Sequence, residues 1–131
     1  MRFLIDTQIF IWAVMDSENL SAPARRIMLA ATEIFVSSAS IWEIAIKTKL
    51  GKLEGDPNEF VESIGQSGFR ELAISAHHAA KVYELPLYHR DPFDRLLIAQ
   101  AISEPLRLLT ADKTLAQYSE LVMTVQSLKA T

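Results

Sequence analysis

The sequence predicts an α/β fold, a three-layer α/β/α sandwich around a mainly parallel sheet of about five strands. Three observations predict it. Short apolar runs recur and stop at polar residues, as buried strands do: Arg2-Phe-Leu-Ile-Asp6, Glu33-Ile-Phe-Val-Ser37 and Leu106-Arg-Leu-Leu-Thr110. Between them lie helical stretches opened by Ser or Asp caps, several followed by proline. No linker, internal repeat or low-complexity segment breaks the alternation, so the 131 residues read as a single domain, 1–131.

Taken in order, the first strand ends at Asp6, and Ile9, Phe10, Trp12 and Ala13 give the next stretch, Thr7 to Met15, a helical pattern. Asp16-Ser-Glu-Asn is a turn, and Ser21 caps a helix to about Thr32 with Pro23 near its start. After the strand Glu33–Ser37, Ser40-Ile-Trp-Glu43 opens a helix that turns Ile41, Ile44 and Ala45 inward and runs out at Lys47, Lys49 and Gly51. Asp56-Pro57 starts a helix carrying Phe60, Val61 and Ile64, which Gly65 and Gly68 end. Phe69 to Ile74 is a weaker strand because Arg70 and Glu71 interrupt it, and Ser75 caps a helix through Tyr83 that Leu85-Pro86 stops. Asp91-Pro92 then opens an almost wholly apolar helix, Leu96, Leu97, Ile98, Ala99, Ala101 and Ile102, with Gln100 its polar exception. Such a helix belongs in the middle of a domain. Pro105 ends it, a fourth strand reaches Thr110, a short helix spans Lys113 to Tyr118, and Leu121 to Val125 forms the last strand.

Composition narrows the chemistry. Half of the residues are hydrophobic, so a packed core is expected. There are no cysteines, which excludes disulfides, zinc–thiolate sites and cysteine nucleophiles. The N-terminus reaches an acid at Asp6, and no apolar stretch approaches the ~20 residues of a membrane span. A cytoplasmic protein with no membrane partner is expected. Sixteen acids against thirteen bases give a net charge of −3, so no general attraction to nucleic acid exists. Nucleic acid would have to be held by a local basic patch or through metal ions.

The acids therefore carry the question. In an open parallel sheet the active crevice lies beyond the carboxyl ends of the strands. Asp6 ends the first strand, Asp112 lies just past the fourth, Glu43 falls in the first turn after the second, and Asp94 in the first turn of the buried helix. All four can reach one edge. Four carboxylates around one crevice repel one another unless a cation joins them, and oxygen-only ligands suit Mg²⁺ or Mn²⁺. Such ions support phosphodiester hydrolysis. Each acid also has a plainer role. Asp6 and Asp112 can be helix caps, Ser40-x-x-Glu43 is a formal capping box, and Asp94 can simply complement a helix dipole. Convergence on one edge is what no single cap explains. Lys47, Lys49 and Lys52, with Arg90 and Arg95, are the bases near these acids. They can hold phosphates or be solvated helix ends. His89 can touch a phosphate or be a surface histidine. Trp12 and Trp42 suit core or interface better than base stacking.

Four blocks stand out: Leu4-Ile-Asp6-Thr7, Ser37-Ser-Ala-Ser-Ile-Trp-Glu43-Ile-Ala-Ile-Lys47, His89-Arg-Asp-Pro-Phe-Asp94-Arg-Leu-Leu-Ile-Ala-Gln100 and Leu109-Thr-Ala-Asp112. Together they resemble the PIN-domain ribonucleases, and most closely the VapC toxins of bacterial toxin–antitoxin pairs. The resemblance implies that Asp6, Glu43, Asp94 and Asp112 form the family's acidic quartet, with Asp6 and Asp94 the principal Mg²⁺ (or Mn²⁺) ligands. Thr7 and Thr110 would be hydroxyl-bearing neighbours of the site; with RNA as substrate, the nearby bases Lys47, Arg90 and Arg95 are placed by their charge, not by the resemblance, to hold its phosphates. The resemblance further implies an RNA substrate, an antitoxin partner and a homodimer. Two other functions compete. One is a module that binds RNA or a partner without cutting. The other is a receiver-like signalling domain, which would need an acidic pair after the first strand where this chain has a single Asp6.

Overall fold

A computed structural model describes residues 1–126; the expected extension of the domain to Thr131 lies in part outside the described residues. Five strands, β1 (Arg2–Ile5), β2 (Glu33–Ser37), β3 (Arg70–Leu72), β4 (Arg107–Thr110) and β5 (Val122–Thr124), form one sheet in the order β3-β2-β1-β4-β5. Every neighbouring pair is parallel. The helices are α1 (Thr7–Val14), α2 (Ala22–Ala30), α3 (Ser38–Lys49), α4 (Pro57–Gln66), α5 (Ala76–Lys81) and α6 (Pro92–Ser103), with 3₁₀ turns at Val82–Glu84 and Lys113–Gln117.

Alternating residues of each strand feed two cores, which makes three layers. Phe3 and Ile5, Ile34 and Val36, and Leu109 meet Ile9 and Phe10 of α1, Ala24 of α2 and Phe60 and Ile64 of α4. Leu4 and Leu108 face the other way, onto Leu97, Ile98 and Ala101 of α6. That explains why α6 is apolar nearly all round. Its Gln100 is buried too, with Nε2 3.3 Å from His78 Nδ1 on α5. His78 completes a capping box with Ser75 and sits 2.6 Å from Glu104, so it is a structural residue tying α5 to α6.

Local differences from the expected elements have simple causes. Ser37, not Ser40, caps α3: its hydroxyl accepts from Ala39 N at 3.0 Å, so the helix starts directly from the strand. Glu43 therefore stands in the second turn, and Ser40-x-x-Glu43 is not a capping box. Gly65 lies inside α4; the chain turns at Gly68, whose φ of +79° suits a residue without a Cβ. Strand β3 is shorter than Phe69–Ile74, because only Arg70, Glu71 and Leu72 find partners on β2. The expected helix through Tyr83 tightens into a 3₁₀ turn at Val82. No helix among the described residues is long and apolar enough to cross a membrane.

The strand order reverses around β1. The chain runs outward through β2 and β3, then returns to the far side of β1 with β4 and β5. The carboxyl ends of β1 and β4 thus flank a topological switch point, where open α/β sheets leave a crevice.

Candidate active site

An open cleft of about 350 Å³ lies at that switch point, lined by Asp6, Thr7, Gln8, Glu43, Lys47, Asp91, Asp94, Ala111 and Asp112. Each acid of the expected quartet reaches it from a different element. Asp6 leaves the end of β1 and caps α1, its Oδ1 accepting from Ile9 N at 2.8 Å. Its Oδ2 accepts from the Thr110 hydroxyl at 2.5 Å. That same hydroxyl oxygen accepts from Asp112 N at 3.0 Å, so Thr110 joins Asp6 to the backbone that carries Asp112. Asp112 caps the 3₁₀ turn through Oδ1, which accepts from Thr114 N at 2.9 Å and from its hydroxyl at 2.7 Å. Glu43 comes from α3 and pairs with Lys47 Nζ at 3.1 Å. Thr7 is buried and donates to Ser40 Oγ at 2.8 Å, which fixes α1 against α3 beside the cleft.

Asp94 is placed by its neighbour. Asp91 Oδ1 accepts from Phe93 N at 2.8 Å and from Asp94 N at 3.2 Å, and Pro92 pre-sets the first turn. Capping by Asp91 thus aims the Asp94 carboxylate at the cleft.

The electrostatics are those of a site short of positive charge. Burial pushes the Asp6 carboxyl up from 3.8 to about 7, against the pull of its Thr110 and Ile9 hydrogen bonds, with Asp94 and Glu43 adding repulsion. Burial and then the nearby Asp91 push Asp94 from 3.8 up to about 6, although His89 acts the other way. Among the described residues Lys47 is the one cation lining the cleft, against five carboxylates: Asp6, Glu43, Asp91, Asp94 and Asp112. A hard divalent cation is the group that such an oxygen-rich, under-neutralised set fits. Asp6 and Asp94 would hold it, with Glu43 and Asp112 within the same cleft.

Two expected phosphate contacts are differently placed. Arg95 turns away from the cleft: its guanidinium donates to the carbonyls of Pro86 (2.9 Å), Val82 (3.3 Å) and Leu85 (3.4 Å) and to Tyr118 Oη (3.3 Å). It anchors the loop before α6, because a planar five-donor group can meet several carbonyls of one turn at once. Arg90 is exposed and stands outside the cleft lining. Lys47 does line it. The residue that sequence reasoning undervalued is His89, whose Nε2 lies 2.9 Å from Asp94 Oδ2 and 3.9 Å from Asp112 Oδ2. Its position five residues before Asp94 was a signal, but the loop that aims the ring has no periodicity to read. Gln8, Asp91 and Ala111 also line the cleft and were not expected there.

An all-parallel sheet with acids gathered at its carboxyl edge defines an α/β protein with a carboxylate-lined cleft. Residues 3–121 match the PIN domain, and the chain belongs to that family. No curated protein matches the sequence. Three solved structures show the same fold. VapBC2 from Rickettsia felis, bound to a DNA fragment from their promoter, has a chain 19% identical, with a TM-score of 0.72, over 96% of this chain and 100% of that one. A toxin–antitoxin complex from Klebsiella pneumoniae has one 20% identical, with a TM-score of 0.65, over 92% and 95%. FitAcB from Neisseria gonorrhoeae has one 19% identical, with a TM-score of 0.62, over 93% and 96%. The receiver-like alternative falls here, since receiver folds order their strands 2-1-3-4-5 whereas this sheet runs 3-2-1-4-5.

Proposed function

We propose that this chain, residues 1–131 acting as one PIN-like unit, is a Mg²⁺- or Mn²⁺-dependent endoribonuclease, the toxin of a toxin–antitoxin pair. The observation that carries the reading is the convergence of Asp6, Glu43, Asp91, Asp94 and Asp112 on one cleft whose lining includes the single base Lys47. A bound divalent cation supplies polarisation of a phosphoryl oxygen and a lowered pKa for an attacking water. The chain's own part is to hold the carboxylates. Asp6 is fixed by Ile9 N and Thr110, Asp94 by the Asp91 cap, and Asp112 by Thr114. Lys47, on the helix turn beyond Glu43, supplies positive charge for an RNA phosphate at the mouth of the cleft.

The partner assignment rests on the likeness to complexes described as toxin–antitoxin and as VapBC2 and FitAcB. The antitoxin would bind this chain and silence it. A homodimer is part of the same proposal. Trp42 and Ile46 on α3 and Leu50 at its C-cap lie four residues apart, and all three are exposed, as an interface helix requires.

Purified protein incubated with structured RNA tests the reading. Cleavage is expected with Mg²⁺ or Mn²⁺ and is abolished by chelator and by Asp6→Asn or Asp94→Asn. Cleavage surviving both treatments would sink the metal mechanism. Tight RNA binding with intact ends, in excess metal and without antitoxin, would favour a non-cleaving module instead.

A further inference from the structure

Among the described residues, the tightest group of metal-ligand atoms is not the quartet of acids. It is His89, Asp94 and Asp112, whose ligand atoms all lie within 4.8 Å of one another. The imidazole is held for this position from behind. His89 N donates to Tyr118 Oη at 2.8 Å, and Tyr118 Oη also receives Arg95 at 3.3 Å. The aspartates are prepared on their side. Asp112 gives Oδ1 to Thr114 and leaves Oδ2 facing the ring, and Asp94 turns Oδ2 to it. Adjacent ligands of an octahedral ion with bonds of ~2.1 Å sit about 3 Å apart. The 2.9 Å between His89 Nε2 and Asp94 Oδ2 matches that edge, and the 3.9 Å to Asp112 Oδ2 lies within reach of a small closure.

We infer that His89 is a nitrogen ligand of the cation that Asp94 holds, with Asp112 a further ligand on the same side, and that it biases the site toward Mn²⁺ over Mg²⁺. The inference rests on the metal reading proposed above. Its chemistry is the preference of imidazole for transition metals over Mg²⁺, which keeps to oxygen and sheds water reluctantly. The competing role for the ring is that of a counter-ion that merely neutralises Asp94. The two roles have opposite signs. Removing a counter-ion frees a carboxylate and strengthens binding of both ions alike. Removing a nitrogen ligand weakens Mn²⁺ selectively.

The test uses the full chain and two readouts. Electron spin-echo modulation of Mn²⁺ bound to the unsubstituted protein should show coupling to an imidazole ¹⁴N, and His89→Gln should lose it. Calorimetric titration should show the Kd for Mn²⁺ rising at least about tenfold in His89→Gln, with Mg²⁺ changing by less than about threefold. Absence of ¹⁴N coupling in the unsubstituted protein with Mn²⁺ bound would overturn the inference without any variant having to fold. So would tighter binding of both ions in His89→Gln. Asp94→Asn separates the two levels. If it leaves cation binding unchanged, or if the unsubstituted protein binds no Mn²⁺, the metal reading itself fails; if it abolishes binding while His89→Gln does not shift the Mn²⁺ to Mg²⁺ ratio, only the role of His89 fails.

Discussion

The two ends of the sheet offer two cavities of similar size and opposite character. At the amino end, about 400 Å³ is enclosed mainly by apolar side chains, among them Ala13, Leu20, Met28, Ile34 and Phe69. Its charges are matched. Arg25 reaches Asp16 at 3.0 Å and the carbonyls of Ser17 and Leu20, and Glu33 pairs with Arg70 at 2.5 Å. At the carboxyl end the cleft is slightly smaller, and its five carboxylates face one lysine. The larger cavity is electrostatically finished and the smaller one is not. Charge balance, not size, is what sets the two cavities apart, and unmatched charge is the mark on which the proposed site rests.

The sharpest break of that contrast is removal of one charge from the acidic end. Asp94→Asn is expected to lower metal-dependent RNA cleavage by at least roughly 10²-fold. Arg25→Ala, at the amino end, should leave the cleavage rate unchanged while lowering stability. Single-turnover cleavage beside circular dichroism melts checks both. Equal loss of activity at the two ends would erase the distinction.

Next in size is the pH dependence of the metal-free protein. The folded-state pKa values of Asp6 and Asp94 are raised, to about 7 and about 6, above the ordinary 3.8. Between those limits the folded chain holds protons that the unfolded chain has released. The stability contributed by these groups is complete below about pH 4 and is lost as pH rises through 6 to 7, at up to about 1.4 kcal/mol per pH unit for each proton. Denaturant melts in chelator should show the decline, and Asp6→Asn should flatten its upper part. Added Mn²⁺ should oppose it, because metal binds the ionised form. A slope of the opposite sign would show that the charge of the cleft is already compensated.

Smaller effects follow from the groups that aim the acids. Thr110→Val removes the hydroxyl shared by Asp6 and Asp112 N and should destabilise by about 1–3 kcal/mol, with Thr110→Ser restoring most of it. Asp91→Ala removes the α6 cap and should cost about 1 kcal/mol in a denaturant melt. It should also weaken Mn²⁺ binding measured by titration, since Asp94 loses its aim. A comparable loss of metal affinity from cap removal at Ser21, by the amino-end cavity, would contradict the assignment.

Much of the fold was legible because its signals are local. Apolar runs such as Leu4-Ile5 and Leu108-Leu109 are buried on both sides by their own layers, and Ser21, Asp56, Ser75 and Asp91 cap the helices they precede. The meeting of Asp6, Glu43, Asp94 and Asp112 in one cleft was legible too, since strand ends in a parallel sheet must share an edge. Side-chain direction in loops was not. Arg95 sits in the first turn beside Asp94, yet the carbonyls of Val82, Leu85 and Pro86 claim it. His89 faces two carboxylates because Tyr118, 29 residues away, grips its backbone. Such pairings depend on how a loop folds back, which no period in the sequence encodes. The start of α3 was misread for a related reason: Ser37 serves as both the last strand residue and the cap, so the helix begins without a connecting turn.

The double duty of Asp6 has a practical consequence. One of its oxygens starts a helix, and the other takes part in the cleft. Alanine there would remove both duties at once and confuse misfolding with inactivity. Asparagine keeps an oxygen for the Ile9 amide and drops the charge. On the proposed mechanism an Asp6→Asn protein is therefore the suitable inert bait: correctly shaped, unable to cut its ligand, and fit for trapping an intact RNA or a protein partner long enough to identify it.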